Sequence, residues 1–238
     1  MRVGVIQSSY IPWRGYFDFI SNVDAFVFHD DIQYTKGDWR NRNQIKTSAG
    51  LEWLTVPVHH QKTSQLICDT QISKSFNWWK KHPAKFYENY RKAPFVDDAM
   101  QIFSIIDQDE FDTISSLNIA MIKLVCNYLQ ITTPLYHSSD FKLNGTKTER
   151  LIELLKKIGA SVYLSGPTAD AYLDKSLFAE NNIILEYKSY EYRPYNQLWG
   201  DFYGSVSVLD MIANCGKNSR DYLSSYMPNK IIVGNAPR

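Results

Sequence analysis

Apolar, β-branched Val3, Val5 and Ile6 predict a strand over residues 2–7. Tyr16, Phe17, Phe19 and Ile20 then recur at helical spacing, which predicts a helix over residues 15–22. "AFVFHDD" reads as a second strand over 25–31, ended by Asp30 and Asp31. The unit has the length of two parallel strands joined by a crossover helix. "LEWLTVPV" predicts a strand over 51–58, after a turn at Ser48, Ala49 and Gly50. The middle of the chain changes period. "SFNWWKKHPAKFYENYRKAP" predicts a helix that restarts at Pro83, because proline suits a first turn and disrupts an interior. Over residues 109–131, Phe111, Ile114, Leu117, Met121, Leu124, Val125 and Tyr128 form one apolar stripe. Thr146 and Glu149 have capping-box spacing before "RLIELLKKIG", with Gly159 at the position that closes the helix. A strand over 161–166, a short helix at "FAENN", a strand over 183–190 and a last helix in "SVSVLDMIANCG" ending at Gly216 complete the pattern. No repeat, low-complexity tract or linker interrupts it. The fold class is therefore α/β: one domain over residues 1–238 with a mostly parallel sheet and a helical subregion over about 75–131.

Composition narrows the function classes. The chain has 26 Lys and Arg against 25 Asp and Glu, a formal net charge of +1, so it is not a polyanion-binding surface as a whole. No DNA partner is expected, while a local basic patch stays open. Aromatics reach 14%, with 16 Tyr and 6 Trp, more than a packed core requires; such rings also line sugar, nucleobase and peptide sites. Three widely spaced cysteines form no CxxC and no Cys/His pair at ligand spacing, so no metal site is expected. The cysteine count fits a reducing compartment. No apolar stretch approaches a membrane span, and the first residues lack a signal-peptide layout. The expectation is a cytoplasmic protein without membrane insertion.

Ligands in open α/β sheets bind beyond the carboxyl ends of the strands. Three polar loops follow predicted strands, at residues 7–15, 30–43 and 165–172. The second is the richest. "HDDIQYTKGDWRNRNQIK" offers Asp30, Asp31, Gln33, Tyr34, Arg40, Asn41, Arg42, Asn43 and Lys46. Arginine forks suit carboxylate or phosphate, and paired carboxylates suit amine orientation or proton removal. The bland alternative is a solvated loop of turn-forming Asp and Asn. In "YLSGP", Ser165 and Gly166 could bring backbone N–H groups to an anion or sugar. His82, among Lys80, Lys81 and Lys85, reads first as a surface histidine on a basic helix face; its functional reading is a proton shuttle or phosphate contact. His59 and His60 read as part of a strand-end loop. There is no GxSxG, Walker A loop or GxGxxG fingerprint.

An ordered series of motifs resembles the WbqC-like family nearly end to end: "QSSYIPWRGYFDFI", "DAFVFHDDIQYTKGDWRNRNQIK", "WLTVPV", the "WWKKH" and "YENYRKAPF" pair, "YLSGPTADAYL" and "FYGSVSVLDMIANCG". Many members carry proline where Ser8 stands here, which bears on turn geometry more than on function. The resemblance implies a place among genes for O-antigen and other surface polysaccharides. It implies an enzyme that transfers glycine, or another acyl or aminoacyl group, to an amino sugar. The opening also resembles nucleotidyltransferase-like α/β folds, in which a strand leads into a His-Gly-His turn. Here Trp13, Gly15 and Tyr16 occupy that turn and the histidines are missing.

On this reading the partners are a nucleotide-linked amino sugar and an acyl donor. Three acyl donors stay open: an acyl-CoA, an aminoacyl-tRNA or a free acid with ATP. Asp30 or Asp31 would take the amine proton. Arg42, Asn43 or the peptide groups of Ser165 and Gly166 would meet the oxyanion. Tyr10, Trp13 and Tyr34 would stack on sugar or base, and Arg40 and Lys46 would hold a diphosphate. Gln7, Gln33, Asn41 and Tyr172 complete the candidate binding set, and His82 the catalytic one. Asp30→Asn and Asp31→Asn should then each leave the fold intact, at least one cutting turnover by roughly 100-fold. Two alternatives stay open. One is an ATP-dependent amide ligase or nucleotidyltransferase whose nucleotide enters the 7–15 turn. The other is a non-catalytic carbohydrate-binding or scaffold protein. The tail "MPNKIIVGNAPR" reads as either a partner contact or a frayed end.

Overall fold

Residues buried on both faces of a sheet need no polar alternation, and the first strands follow that rule. In the computed structural model, which describes residues 1–106 and 111–234, β1 (Arg2–Ile6) and β2 (Ala25–Phe28) pair in parallel across α1 (Arg14–Ser21). Phe26 and Phe28 of β2 enter the core on one face, while Ala25 and Val27 enter the core on the other. Gly4 is small for a packing reason. A Cβ there would stand 2.3 Å from the ring of Phe19, so α1 could not lie this close to β1.

After β2 the chain leaves the sheet. It makes an antiparallel hairpin, β3 (Arg42–Thr47) and β4 (Gly50–Thr55), and then α2 (Trp78–Tyr90), α3 (Val96–Phe103) and α4 (Ile114–Tyr128). It returns through β5 (Leu135–His137), α5 (Lys147–Ile158), β6 (Val162–Ser165), α6 (Lys175–Glu180), β7 (Ile184–Tyr187), α7 (Val208–Cys215) and β8 (Lys230–Val233). The six-stranded sheet has the order β5-β2-β1-β6-β7-β8, parallel except for β8. The fold is thus α/β with a mostly parallel sheet. Helices α1, α4 and α7 contribute to one core, and α5 and α6 to the core on the opposite face. Parallel strands run outward from β1 through β2 to β5, then restart on the other side of β1 with β6 and β7. The direction of winding reverses between β1 and β6, where doubly wound sheets open a crevice.

Several elements depart from the sequence pattern. The second strand stops at Phe28, leaving Asp30 and Asp31 in the following loop. Part of the expected 30–43 loop and the residues after it form β3, in which Asn43 and Lys46 donate to partners in distant segments. The helix expected to restart at Pro83 begins at Trp78 and runs through the proline, at the cost of one backbone hydrogen bond. Thr146 is the N-cap of α5 but its side chain makes no capping bond, so the capping box is not formed. Gly159 closes that helix with φ 78°, the left-handed turn that favours glycine. The helix expected over 109–131 spans Ile114–Tyr128, started by a Thr113 and Ser116 capping box; residues 109 and 110 lie outside the described residues. Part of the tail, Lys230–Val233, is neither frayed nor free: it adds to the sheet edge beside β7. Among the described residues no helix is long and apolar enough to cross a membrane.

Candidate functional site

The loop after β1 is held in shape by side chains distant in sequence. Ser8 donates its N–H to Asp30 Oδ1 at 2.8 Å, and Ser115 of α4 donates its hydroxyl to Asp30 Oδ2 at 2.5 Å. Asn118, one turn further along α4, donates to the carbonyl of Arg40 at 2.8 Å and to Ser8 Oγ at 3.3 Å. Asn43 of β3 donates to the carbonyls of Tyr10 and Ile11 at 3.1 and 2.9 Å. Ile11 has φ 36°, a conformation that β-branched residues rarely adopt, and the Asn43 clamp sits on the strained segment. Trp13 then packs its indole over Gly15, where a Cβ would stand 2.3 Å from the ring, and its centroid lies 5.2 Å from that of Tyr190.

These loops wall a cavity of about 1120 Å³ at the carboxyl ends of β1, β2 and β6. Gln7, Trp13 and Tyr16 come from the first loop and α1. His29, Trp39 and Arg40 follow β2; Lys147 and Arg150 come from the first turn of α5; Gly166 and Tyr172 follow β6. One side is aromatic, built from Trp13, Tyr163, Tyr172 and Tyr190, while Arg40, Lys147 and Arg150 supply cations. Among the described residues lining the cavity none is Asp or Glu. In a chain with nearly equal numbers of acids and bases, that segregation selects for anions.

His29 lies just past the end of β2. Its Nε2 is 3.8 Å from Asp31 Oδ1 and has no hydrogen-bond partner among the described residues. Burial pushes its pKa down, with Arg150 adding to the effect and Asp31 opposing it, so the imidazole is neutral at pH 7. Asp31 is held behind the cavity wall by Arg150 Nη2 at 2.5 Å and by the Ser138 hydroxyl. Arg40 donates from Nη1 to Gln7 Oε1 at 3.0 Å.

Of the candidates read from the sequence, Gln7, Trp13, Arg40, Asn43, Ser165, Gly166 and Tyr172 line the cavity. The others are elsewhere. Asp30 is buried and spent on Ser8 and Ser115, so it is not placed to take a proton from a ligand. Tyr10 is fully buried against His82. Asn41 donates to the Val56 carbonyl, and Lys46, also buried, donates to Gln197 and to the carbonyls of Gly200 and Asp201. Tyr34 is buried beside His60, and Gln33 is exposed, bridged to Leu66. Arg42 stacks on the Trp53 ring at 4.2 Å and does not reach the cavity. Conversely, His29, Lys147, Arg150, Tyr163 and Tyr190 were not singled out by the sequence pattern. His29 carried the clearest signal, since it ends the apolar run of β2. Among the described residues no group of three or more His, Cys, Asp and Glu converges to hold a metal.

His82 is not a surface residue. It is buried, with Nδ1 2.9 Å from the Tyr10 hydroxyl, and burial pushes its pKa down to about 4. The folded state therefore resists a proton that the unfolded chain takes up near 6.5. Its contribution to stability is complete above pH 6.5 and is lost as pH falls towards about 4. Urea denaturation over that range should show a loss of roughly 3 kcal/mol from this group, and His82→Gln should flatten the slope. An unchanged slope in the variant would assign the acid sensitivity to other groups.

The WbqC-like protein family model matches residues 7–222. The chain belongs to the WbqC-like family. The matched segment includes every cavity-lining residue except Val5 and Ile6. This WbqC-like protein is also similar to the uncharacterized protein Rv1507c of Mycobacterium tuberculosis (strain ATCC 25618 / H37Rv). The two are 43% identical over 229 residues, covering 93% of this chain and 97% of the relative. No solved structure gives a significant match.

Proposed function

We propose that the cavity binds a nucleotide-linked amino sugar and that the protein transfers an acyl or aminoacyl group to its amine, in the cytoplasmic assembly of a surface polysaccharide. The observation that carries this reading is the composition of one crevice: aromatic faces suited to base and sugar beside cations with no lining carboxylate, at the reversal of strand order. Neutral His29 accepts the amine proton as nitrogen bonds to the acyl carbonyl carbon. The bond to the donor's leaving group breaks, and that group departs with the proton. Asp31, 3.8 Å away, stabilises the imidazolium that forms. Ser165 and Gly166 bring peptide groups to the wall where the oxyanion would develop.

Incubation with a panel of amino-sugar nucleotides and each donor class (acyl-CoA, aminoacyl-tRNA, free acid with ATP and magnesium) tests it by mass spectrometry. The expected product is heavier than the sugar nucleotide by one acyl group and requires the protein. Binding of sugar nucleotides with no acylated product from any donor would reduce the protein to a carbohydrate-binding module.

A second reading is supported by the strand order. Numbered among themselves, the parallel strands run 3-2-1-4-5, the order of doubly wound nucleotide-binding sheets, so ATP itself could occupy the crevice of an amide ligase. An assay of nucleotide cleavage separates the two: the ligase should form AMP or ADP in step with the amide, and the simple transferase should leave ATP intact.

A further inference from the structure

Arg40 is the cation whose surroundings are least complete. The residue is nine-tenths buried, and its Nε makes no hydrogen bond among the described residues. The nearest carboxylate oxygen, Asp38 Oδ2, stands 3.9 Å from Nε, beyond hydrogen-bond distance, on a side chain more than one-third exposed. Its side-chain hydrogen bond is to a neutral amide, Gln7 Oε1 at 3.0 Å. Burying a guanidinium whose hydrogen-bond partner is neutral costs stability, because an exposed carboxylate 3.9 Å away offsets the desolvated charge only in part. The fold nevertheless holds the residue in place: Asn118 grips its carbonyl, and Gln7 grips its fork. Arg150 differs, since Asp31 already neutralises it. Lys147, the third lining cation, makes no ion pair with a described carboxylate, so it and Arg40 are the least neutralised of the three lining cations.

We infer that Arg40, oriented by Gln7, is a preformed anchor for one phosphate of a diphosphate, with Lys147 meeting the same dianion. A planar guanidinium at the cavity wall fits two oxygens of one phosphate group. Because Gln7 Oε1 is occupied by Arg40, its amide N–H₂ is left as a further donor. A single carboxylate would satisfy one of the two cations and leave the other uncompensated, whereas the diphosphate of a sugar nucleotide carries two negative charges. The inference rests on the acyl-transfer reading only for the rest of that ligand. ATP and coenzyme A carry the same diphosphate chemistry.

Inorganic pyrophosphate at constant ionic strength is the test ligand, followed by calorimetry and thermal denaturation of the full chain. Wild type should bind it saturably and melt at a higher temperature in its presence. Gln7→Glu places a carboxylate against Arg40 Nη1 and should fill the anchor internally. Its ligand-free melting temperature should equal or exceed that of wild type, while pyrophosphate affinity falls by about tenfold or more. Arg40→Met should behave in the same way, by removing the incompletely compensated charge. Lys36→Met, an exposed cation of the same loop outside the cavity, should leave both readouts unchanged. Wild-type pyrophosphate affinity in Gln7→Glu or Arg40→Met, or no saturable binding to wild type at millimolar pyrophosphate, would overturn the anchor. A uridine diphosphate amino sugar and coenzyme A then identify the source. Whichever binds wild type more tightly is the source; both should lose affinity in Gln7→Glu, and wild-type affinity for either in that variant would count against the anchor. Pyrophosphate binding in a protein that acylates nothing would remove the proposed reaction and keep this site.

Discussion

His29→Gln is expected to lower kcat/KM for acyl transfer by about 10²- to 10⁴-fold, the usual contribution of a positioned general base, without unfolding the protein. The imidazole is at the cavity wall, partly exposed, and its Nε2 has no hydrogen-bond partner to lose among the described residues. Glutamine keeps polarity and approximate size but cannot take up a proton at neutral pH. The pH profile gives a second readout. Burial lowers the His29 pKa from its usual 6.5, so the base stays neutral at pH 7 and activity should fall only at acidic pH, below 6.5. Asp31→Asn removes a charge that raises the same pKa, so the acid limb of kcat/KM should move to lower pH in that variant. Wild-type kcat/KM in His29→Gln, or an acid limb indifferent to Asp31, would exclude His29 as the base.

Asp30→Ala should cost about 3 kcal/mol of folding stability, because it strips the acceptor from two buried donors, each worth roughly 1.5–3 kcal/mol when the acceptor is charged. The donors are the Ser8 N–H and the Ser115 hydroxyl, and both residues are buried. Asp30→Asn should cost much less, since its amide oxygen still accepts from Ser8 and the Ser115 hydroxyl can accept from its amide nitrogen. Denaturation midpoints at unchanged m value measure both. The sequence pattern suggests that a carboxylate in this loop supports turnover and is dispensable for folding. Burial against α4 implies the reverse for Asp30, and a fully stable Asp30→Ala would refute the clamp.

The two carboxylates show what could and could not be read from the chain. Asp30 and Asp31 are adjacent in sequence and chemically identical, yet one ties the first loop to α4 and the other backs the cavity through Arg150. Their decisive partners are 85 and 119 residues away, so no local pattern separates them. The hairpin strand β3 was hidden for a related reason. Its residues Arg42, Asn43, Gln44 and Lys46 read as loop, but Asn43 and Lys46 are buried against carbonyls of distant segments. The short edge strands β5 and β8 carry too few residues for a periodic signal.

By itself the sequence determined the alternation of strands and helices, the parallel character of the first β-α-β unit and the family. Each of these is written in runs of neighbouring residues: continuous β-branched and aromatic strands, one-sided helical stripes, and a glycine where a helix must stop. Only the tertiary structure decided which polar groups face the crevice. That depends on which donors and acceptors meet across many tens of residues, because a buried polar atom takes whatever partner the fold brings to it and only the remainder is left for a ligand.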